Sequence, residues 1–206
     1  MSEKTYRIWN LGVGWTVFAI ALFTFGSTVE PTASFWDAGE YIATSAKLQV
    51  GHPPGAPFFQ MMGAFFALFA SSPEKIALMV NYMSVFSSAF TILFLFWTIT
   101  LLLRKLPGFK SIDSLSERIG FFGSATVGSL AFCFSDSFWF NAVETEVYAM
   151  ATLILAILFW MGLKWEQEMN TPRGDRWLLM IAFVIGLSFG VHFMGLLTIP
   201  AIGMIY

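Results

Sequence analysis

Charged residues are scarce in this sequence. Asp, Glu, Lys and Arg make up 12% of the 206 residues, about half of their usual share in a soluble domain. Hydrophobic residues make up 57%, and the mean hydropathy is +0.70. A chain this apolar cannot cover a globular core with polar surface, so lipid must solvate much of it. The composition therefore predicts an integral membrane protein.

Other absences narrow the function. Cys133 is the only cysteine, which excludes a disulfide framework and a cysteine-based metal site. The formal net charge is -2 and the basic residues form no stripe, so we expect no nucleic-acid partner. The sequence also has no glycine-rich nucleotide-binding loop. We expect no cofactor; several carboxylates make a divalent metal conceivable, but their spacing does not demand one.

Long apolar runs predict the membrane spans. A helix needs about 20 apolar residues to cross the bilayer. Five runs reach this length, at 9–29, 76–103, 119–134 (extending to 140), 147–163 and 177–200. A sixth, 57–70, is too short and predicts an interfacial or re-entrant helix. The predicted fold is an all-α integral membrane domain over 1–206, with about five transmembrane helices.

The basic residues predict the orientation. The N-terminus and the loops at 104–118 and 164–176 carry nine of the eleven Lys and Arg residues, and Lys47 and Lys75 are the other two. Loops rich in Lys and Arg stay in the cytoplasm. We therefore expect a cytoplasmic N-terminus on an uncleaved anchor, with Tyr206 outside. Because the sequence stops within an apolar run, we expect a truncated form of a longer protein.

This orientation gathers the unusual polar residues on the outer face, mainly in a loop at 30–75. Ser34 followed by Asp37 fits a helix start, and Gly51 fits a stop, so the pattern predicts an amphipathic surface helix over 35–50. Asp37, Glu40, Tyr41, Thr44, Lys47 and Leu48 share one face at helical spacing. The Pro53-Pro54 pair then predicts a stiff corner that holds His52.

Each of these residues also has a purely structural explanation. Asp37 can simply cap its helix, and Glu40 and Lys47 can form a solvated face. The second outer segment carries Glu144 and Glu146 at the start of a span, where a helix would point them about 200° apart. On a helix Glu144 would share its direction with Tyr148, and we expect only one of the two glutamates to face a site shared with Asp37.

His192 and Asn81 lie within apolar runs. A histidine in an apolar helix is more often a packing residue than a catalyst, although ionisable groups in a span are functional candidates. The glycines at 186, 190 and 195 suggest close helix packing around His192. Asn81 is expected to form an interhelical hydrogen bond.

The motifs Trp36-Asp37-x-x-Glu40 and His52-Pro53-Pro54-Gly55, followed by "FWFNAVETEVYA", carry a resemblance. Together they resemble the N-terminal membrane region of GT-C glycosyltransferases, and look most like glycosyltransferase family 117, which is related to lumenal protein O-mannosyltransferases. The resemblance covers nearly the whole chain. It implies an enzyme of the bacterial inner membrane that takes a sugar from a polyprenyl phosphate and transfers it to a protein or glycan hydroxyl on the extracytoplasmic face.

The resemblance also implies roles for residues. Asp37 occupies the place of the acidic residue after the first span and would be the general base, with Glu40 as its partner. His52 would contact the donor phosphate, helped by Lys47 or His192. Glu146 matches the second acidic position better than Glu144, and Tyr148 is close by in sequence. The hydroxyl would attack the anomeric carbon with inversion, and the 57–70 helix would guide the polyprenyl tail.

Two other classes compete with this interpretation. A transporter could use membrane carboxylates and histidines as an ion relay, but such groups usually lie near the bilayer midplane. A non-catalytic membrane subunit would tolerate alanine at Asp37, Glu40 and His52. The clustering of the polar residues at the outer face favours the enzyme over both.

Overall fold

A computed structural model describes residues 1–107, 109 and 112–205. This part of the chain is almost entirely helical, as predicted. Its α-helices are α1 (Glu3–Ser27), α2 (Ala38–Lys47), α3 (Pro57–Ala67), α4 (Ile76–Leu103), α5 (Leu115–Cys133), α6 (Asp136–Ala142), α7 (Val147–Glu168), α8 (Gly174–Ser188) and α9 (Thr198–Ile205). Short 3-10 turns at Pro73–Lys75 and Phe193–Leu197 precede α4 and α9.

Three helices of the described chain are long and apolar enough to cross a membrane: α1, α4 and α7. The number rises to four if α5 and α6, which meet at a 70° bend, count as one span. The sequence prediction of about five spans is therefore confirmed for its long helices but not for its count. α4 lies at the centre of the bundle and packs against α1, α5 and α7.

The fifth predicted run is not one helix. α8 ends at Ser188, and an interruption at 189–192 separates it from the 3-10 turn and α9. At this interruption the Gly190 carbonyl accepts hydrogen bonds from the amides of Phe58 (2.8 Å) and Phe59 (3.1 Å) at the start of α3. A Cβ on residue 190 would lie 2.7 Å from the Phe58 Cβ. The amides of α3 thus provide hydrogen-bond donors for a carbonyl just beyond the end of α8. This close approach of the two backbones requires glycine at position 190.

The predicted surface helix is shorter than expected. It spans Ala38–Lys47 rather than 35–50, and Asp37 at its N-terminus makes no side-chain capping bond. Ser34 therefore does not cap it. The helix stops before Gly51 because Leu48 adopts a left-handed conformation (φ 50°, ψ 48°). The predicted helix over 57–70 is present as α3, which is shorter and ends at Ala67. Its interfacial or re-entrant placement stays a prediction.

The basic segments meet at one end of the bundle. Arg104 pairs with Glu3 at 2.8 Å, Lys105 pairs with Glu166, and the N-terminal ammonium pairs with Asp113. The N-terminus and the two basic loops are thus neighbours, as the charge pattern predicts; which side of the membrane they face stays a prediction. Two residues used in that prediction, Lys110 and Tyr206, lie outside the described residues.

Candidate active site

A cavity of about 370 Å³ opens at the end of the bundle opposite the basic segments. We call it the carboxylate cavity. Its walls come from the start of α2, the Pro-Pro turn, the α6–α7 junction and the interruption after α8. Six of the eight predicted site residues line it: Asp37, His52, Glu144, Glu146, Tyr148 and His192. Four segments from three distant regions of the sequence therefore converge on one site.

Glu40 holds His52 in place from outside the cavity wall. The Glu40 carboxylate accepts a hydrogen bond from the His52 backbone amide at 2.6 Å, and its other oxygen lies 3.0 Å from His52 Nδ1. The other ring nitrogen, Nε2, lies 4.0 Å from Asp37 Oδ2. The hydrogen bond to Glu40 raises the pKa of His52, and the same contact lowers the pKa of Glu40. The pair therefore favours a cationic His52 next to Asp37.

This trio also bears on metal binding. One ligand atom from each of Asp37, Glu40 and His52 lies within 4.8 Å of the others. A histidine that binds a metal through Nε2 commonly donates its Nδ1 proton to a carboxylate. The contact between His52 Nδ1 and Glu40 is therefore compatible both with a protonated histidine and with a metal ligand.

Both glutamates of the second outer segment face the cavity, so the prediction that only one could do so is wrong. The prediction assumed a helix through both residues, but α7 begins at Val147, and Glu146 has an extended backbone (φ -131°, ψ 148°). Glu144 is 3% exposed and Glu146 is 7% exposed. The extended backbone removes the 200° divergence that a helix would impose.

Burial changes the acidity of both glutamates. Burial, followed by the nearby charges of Asp37 and Glu144, raises the pKa of Glu146 to about 7. Burial also raises the pKa of Glu144, while the neighbouring Ser34 hydroxyl acts against the rise. The Asp37 side chain, in contrast, is 58% exposed. The buried carboxyl of this site, with an acidity suited to neutral pH, is Glu146.

His192 lies in the interruption after α8 and not within a helix. Its backbone is extended, and its Nδ1 accepts a hydrogen bond from the Met194 amide at 3.2 Å. Its ring stands 5.5 Å from the Tyr148 ring. Because Nδ1 accepts, the proton of the neutral ring resides on Nε2. The interruption that the sequence did not predict is what brings this histidine to the cavity.

Lys47 lies away from the site. Asp37 precedes the first residue of α2 and Lys47 is the last, so the two lie roughly 15 Å apart along the helix axis. Lys47 is exposed at the last turn of α2, and it is not among the residues that line the carboxylate cavity. A phosphate contact from Lys47 to a ligand in this cavity therefore lacks support.

Asn81 links the two outer segments by hydrogen bonds. The sequence predicted only that it would form an interhelical hydrogen bond. This fully buried residue of α4 donates to the carbonyls of Glu30 (2.7 Å) and Thr32 (2.9 Å). Its side-chain oxygen accepts from the Thr145 hydroxyl. Glu30 and Thr32 precede Asp37, and Thr145 stands between the two glutamates. One buried amide thus fixes both acidic segments relative to the bundle.

Two aromatic residues complete the wall. Trp36 has a left-handed backbone (φ 60°) and an 85% exposed side chain, an uncommon conformation for a bulky residue. Tyr41 packs its ring 5.7 Å from the His52 ring, and burial raises its pKa to about 12. Tyr41 therefore offers a protonated hydroxyl at neutral pH. Its place on the Asp37 face was the sequence signal for its position.

The chain matches a family model over residues 37–206, described as the N-terminal domain of the protein O-mannosyl-transferase TMEM260. The chain belongs to the TMEM260 N-terminal domain family. The match to this TMEM260 N-terminal domain begins at Asp37, so it includes every predicted site residue and omits α1. This agrees with the predicted resemblance to protein O-mannosyltransferases.

Two curated relatives of the TMEM260 family are similar to the chain. The protein O-mannosyl-transferase tmem260 of Dictyostelium discoideum is 23% identical over 162 residues, covering 78% of this chain and 18% of the relative. Mouse TMEM260, with the same description, is 26% identical over 173 residues, covering 84% and 22%. The chain thus spans about a fifth of their length. Both relatives are eukaryotic, so the bacterial inner membrane stays a prediction.

No solved structure matches the chain significantly. In this member of the TMEM260 family, two further cavities lie next to the carboxylate cavity. A cavity of about 210 Å³ shares Asn141 and Tyr148 with it. That cavity in turn shares Phe132 and Thr152 with an apolar cavity of about 410 Å³.

We call these two further cavities the apolar groove. The smaller cavity lies between α5, α6 and α7. The deeper cavity lies between α4, α5 and α7, and it exposes no polar surface. Its lining on α7 reaches from Tyr148 to Phe159, which is about 16 Å of helix and roughly half the thickness of the hydrocarbon core. The groove therefore runs from the carboxylate cavity along α7 toward the opposite end of the bundle.

Proposed function

We propose that this chain forms the membrane part of a glycosyltransferase active site that moves a sugar, mannose by analogy with its relatives' names, from a polyprenyl phosphate to a protein hydroxyl. One observation carries the proposal. The carboxylate cavity joins acids and histidines to an apolar groove, so a single ligand with a polar head and a long apolar tail fits both. Such a ligand is what a lipid-linked sugar is.

In the proposed reaction, the Asp37 carboxylate takes the proton of the acceptor hydroxyl. The hydroxyl oxygen attacks the anomeric carbon, and the bond from that carbon to the phosphate oxygen breaks with inversion. The leaving polyprenyl phosphate gains negative charge, which the cationic His52 stabilises. The Glu40 carboxylate keeps His52 oriented and charged, so Glu40 acts through His52.

The other lining residues have supporting roles in this proposal. Glu146, whose pKa burial raises to about 7, is the second acidic group and orients the acceptor. Glu144 and Tyr148 border the same space. His192 lies across the cavity as a donor for the phosphate or the sugar hydroxyls. For the polyprenyl tail we favour the apolar groove over α3, because the groove adjoins the cavity and is enclosed by three helices.

The same proposal includes the location of the protein in the bacterial inner membrane and its orientation there. It also includes a single domain whose outer loop at 30–75 is catalytic. The charge pattern supports a cytoplasmic N-terminus and an extracytoplasmic active site. The partners would be the lipid-linked sugar, the acceptor protein and the bilayer.

Replacing Asp37 tests the proposal. In the purified full-length protein, Asp37→Asn should slow transfer of mannose from a polyprenyl phosphate to an acceptor peptide by about 100-fold or more, as expected for loss of a general base. Asp136→Asn is the matched control, since Asp136 is an exposed acid at the same end that does not line the carboxylate cavity. Wild-type transfer by Asp37→Asn would contradict the catalytic assignment.

A further inference from the structure

A second large cavity lies at the opposite end of the bundle from the carboxylate cavity. It has a volume of about 750 Å³ and lies between α1, α4 and α7, the three helices that are long and apolar enough to span a membrane. Four cationic side chains line it, those of Lys4, Arg7, Arg104 and Lys164, together with one carboxylate, Glu3. We call it the basic cavity.

The carboxylate that lines the basic cavity already forms an ion pair. Glu3 accepts from Arg104 at 2.8 Å, and the Arg104 guanidinium also stacks 4.5 Å above the Tyr6 ring. Within the described chain, no carboxylate pairs with the other three cations; Lys164 donates to the Gln167 side-chain oxygen at 3.1 Å. Three positive charges therefore face one space without a counter-charge, an arrangement that a bound anion would stabilise.

The depth of the basic cavity relates it to the membrane. Its inner wall includes Trp97 and Trp160, with ring centroids 6.1 Å apart. Indoles concentrate at the boundary between hydrocarbon and headgroups. Arg104 follows Trp97 by seven residues and Lys164 follows Trp160 by four, so these two cations lie about 10 Å and about 6 Å nearer the ends of their helices. The cations are thus at headgroup level, while the indoles border the beginning of the acyl chains.

We propose that the basic cavity binds the phosphate of an anionic phospholipid, with Arg7, Lys4 and Lys164 as its contacts. The charges recognise the phosphate, the volume admits a headgroup, and the indoles contact the glycerol and upper acyl region. Basic pockets between membrane helices bind lipid headgroups by this chemistry. The site is separate from the carboxylate cavity, so this proposal does not depend on the proposed transferase activity.

Thermal unfolding of the intact protein in neutral detergent tests the proposal. We expect phosphatidylglycerol to raise the melting temperature, and phosphatidylcholine at the same concentration to leave it nearly unchanged. The double variant Arg7→Gln/Lys164→Gln should raise the half-saturating concentration of phosphatidylglycerol by about tenfold, since each lost contact removes an ionic hydrogen bond. The charge-preserving variant Arg7→Lys/Lys164→Arg should keep most of the response.

The matched control is Arg173→Gln/Arg176→Gln. It removes the same charge from the same end of the bundle, from residues that do not line the basic cavity, and should retain the response. Equal loss in both neutralising double variants would overturn the proposal, because it would assign the effect to diffuse surface charge. A response to phosphatidylcholine equal to that to phosphatidylglycerol would also overturn it. Stabilisation by inorganic phosphate alone would identify a soluble anion and overturn the lipid assignment.

Discussion

Glu146 is the residue whose environment gives the clearest expectation. Its pKa is raised from 4.5 to about 7, chiefly by burial and then by the charges of Asp37 and Glu144. A shift of this size corresponds to roughly 3 kcal/mol between the two protonation states. Because the folded-state pKa is raised, Glu146 contributes stability in acid that is lost as the pH rises through about 7.

We therefore predict that the melting temperature of the wild-type protein falls between pH 5 and pH 8. Glu146→Gln cannot ionise, so its melting temperature should change less over this range and should exceed that of wild type at pH 8. The measurement is a thermal unfolding series in buffered detergent. Glu74→Gln is a suitable control, since Glu74 is an exposed residue outside the cavity. A wild-type curve as flat as that of Glu146→Gln would contradict the raised pKa.

Sequence reasoning succeeded for residues whose placement depends on short-range rules. Asp37, Glu40 and His52 lie within 16 residues, and their short separation was enough to assign all three to one outer segment, although the predicted helix bounds were too wide. It failed for Glu144 and Glu146, because assigning them to a helix reversed one of the side chains. The start of α7 at Val147 depends on how the preceding segment bonds to the rest of the bundle, and local pattern does not contain that information.

At the scale of elements, the site depends on contacts between segments that are distant in sequence. α8 ends where the Gly190 carbonyl meets the first amides of α3, about 130 residues earlier. An apolar run of adequate length predicted one span there, since hydrophobicity does not distinguish a continuous helix from a broken one. The contact with α3 is associated with the break in the helix. Because of this break, His192 lies at the cavity wall and not inside a helix.

Asn81 provides the test at this scale. Asn81→Ala would leave the carbonyls of Glu30 and Thr32 and the Thr145 hydroxyl without their partner, at a cost of about 1–3 kcal/mol for each buried group left unpaired. We predict a melting temperature several degrees lower and, if the proposed function holds, a reduced kcat. The burial of Glu146 should also decrease, so the pH at which thermal stability changes should shift below about 7.

Ser88→Ala is the control for Asn81→Ala. Ser88 is a fully buried polar residue on the same helix, and its hydroxyl has no hydrogen-bond partner within the described chain. Its removal should leave stability, kcat and the pH dependence near those of wild type. An Asn81→Ala protein that loses stability but keeps the wild-type pH dependence would show that Asn81 does not position the acidic segments.

At the scale of the whole molecule, polar chemistry is divided between the two ends of an apolar bundle. The acids and histidines surround the carboxylate cavity, the basic residues surround the basic cavity, and α4 passes between α1, α5 and α7 from one end to the other. The charge pattern predicted this division from the sequence. It could not predict the apolar groove, because a gap between helices depends on which small and large side chains face each other after packing.

The last prediction follows from the apolar groove and concerns the chain length of the donor lipid. Ala156 lines its deeper cavity, so Ala156→Trp should fill part of that space. We predict that this variant has a KM for a long-chain polyprenyl-phosphate donor raised by roughly tenfold, the effect of losing burial for a few methylene groups. A water-soluble donor with a short prenyl chain should react as it does with wild type, since it ends before the obstruction.

Val127→Trp is the matched control, because Val127 is 70% exposed on α5 and does not line the groove. It introduces the same indole at the outer surface of the bundle and should leave both donors unaffected. Equal impairment of the short-chain and long-chain donors by Ala156→Trp would point to a damaged fold and would contradict a tail site in the groove. Selective impairment of the long-chain donor requires that the tail pass Ala156, since the headgroup and the acceptor are the same in both reactions.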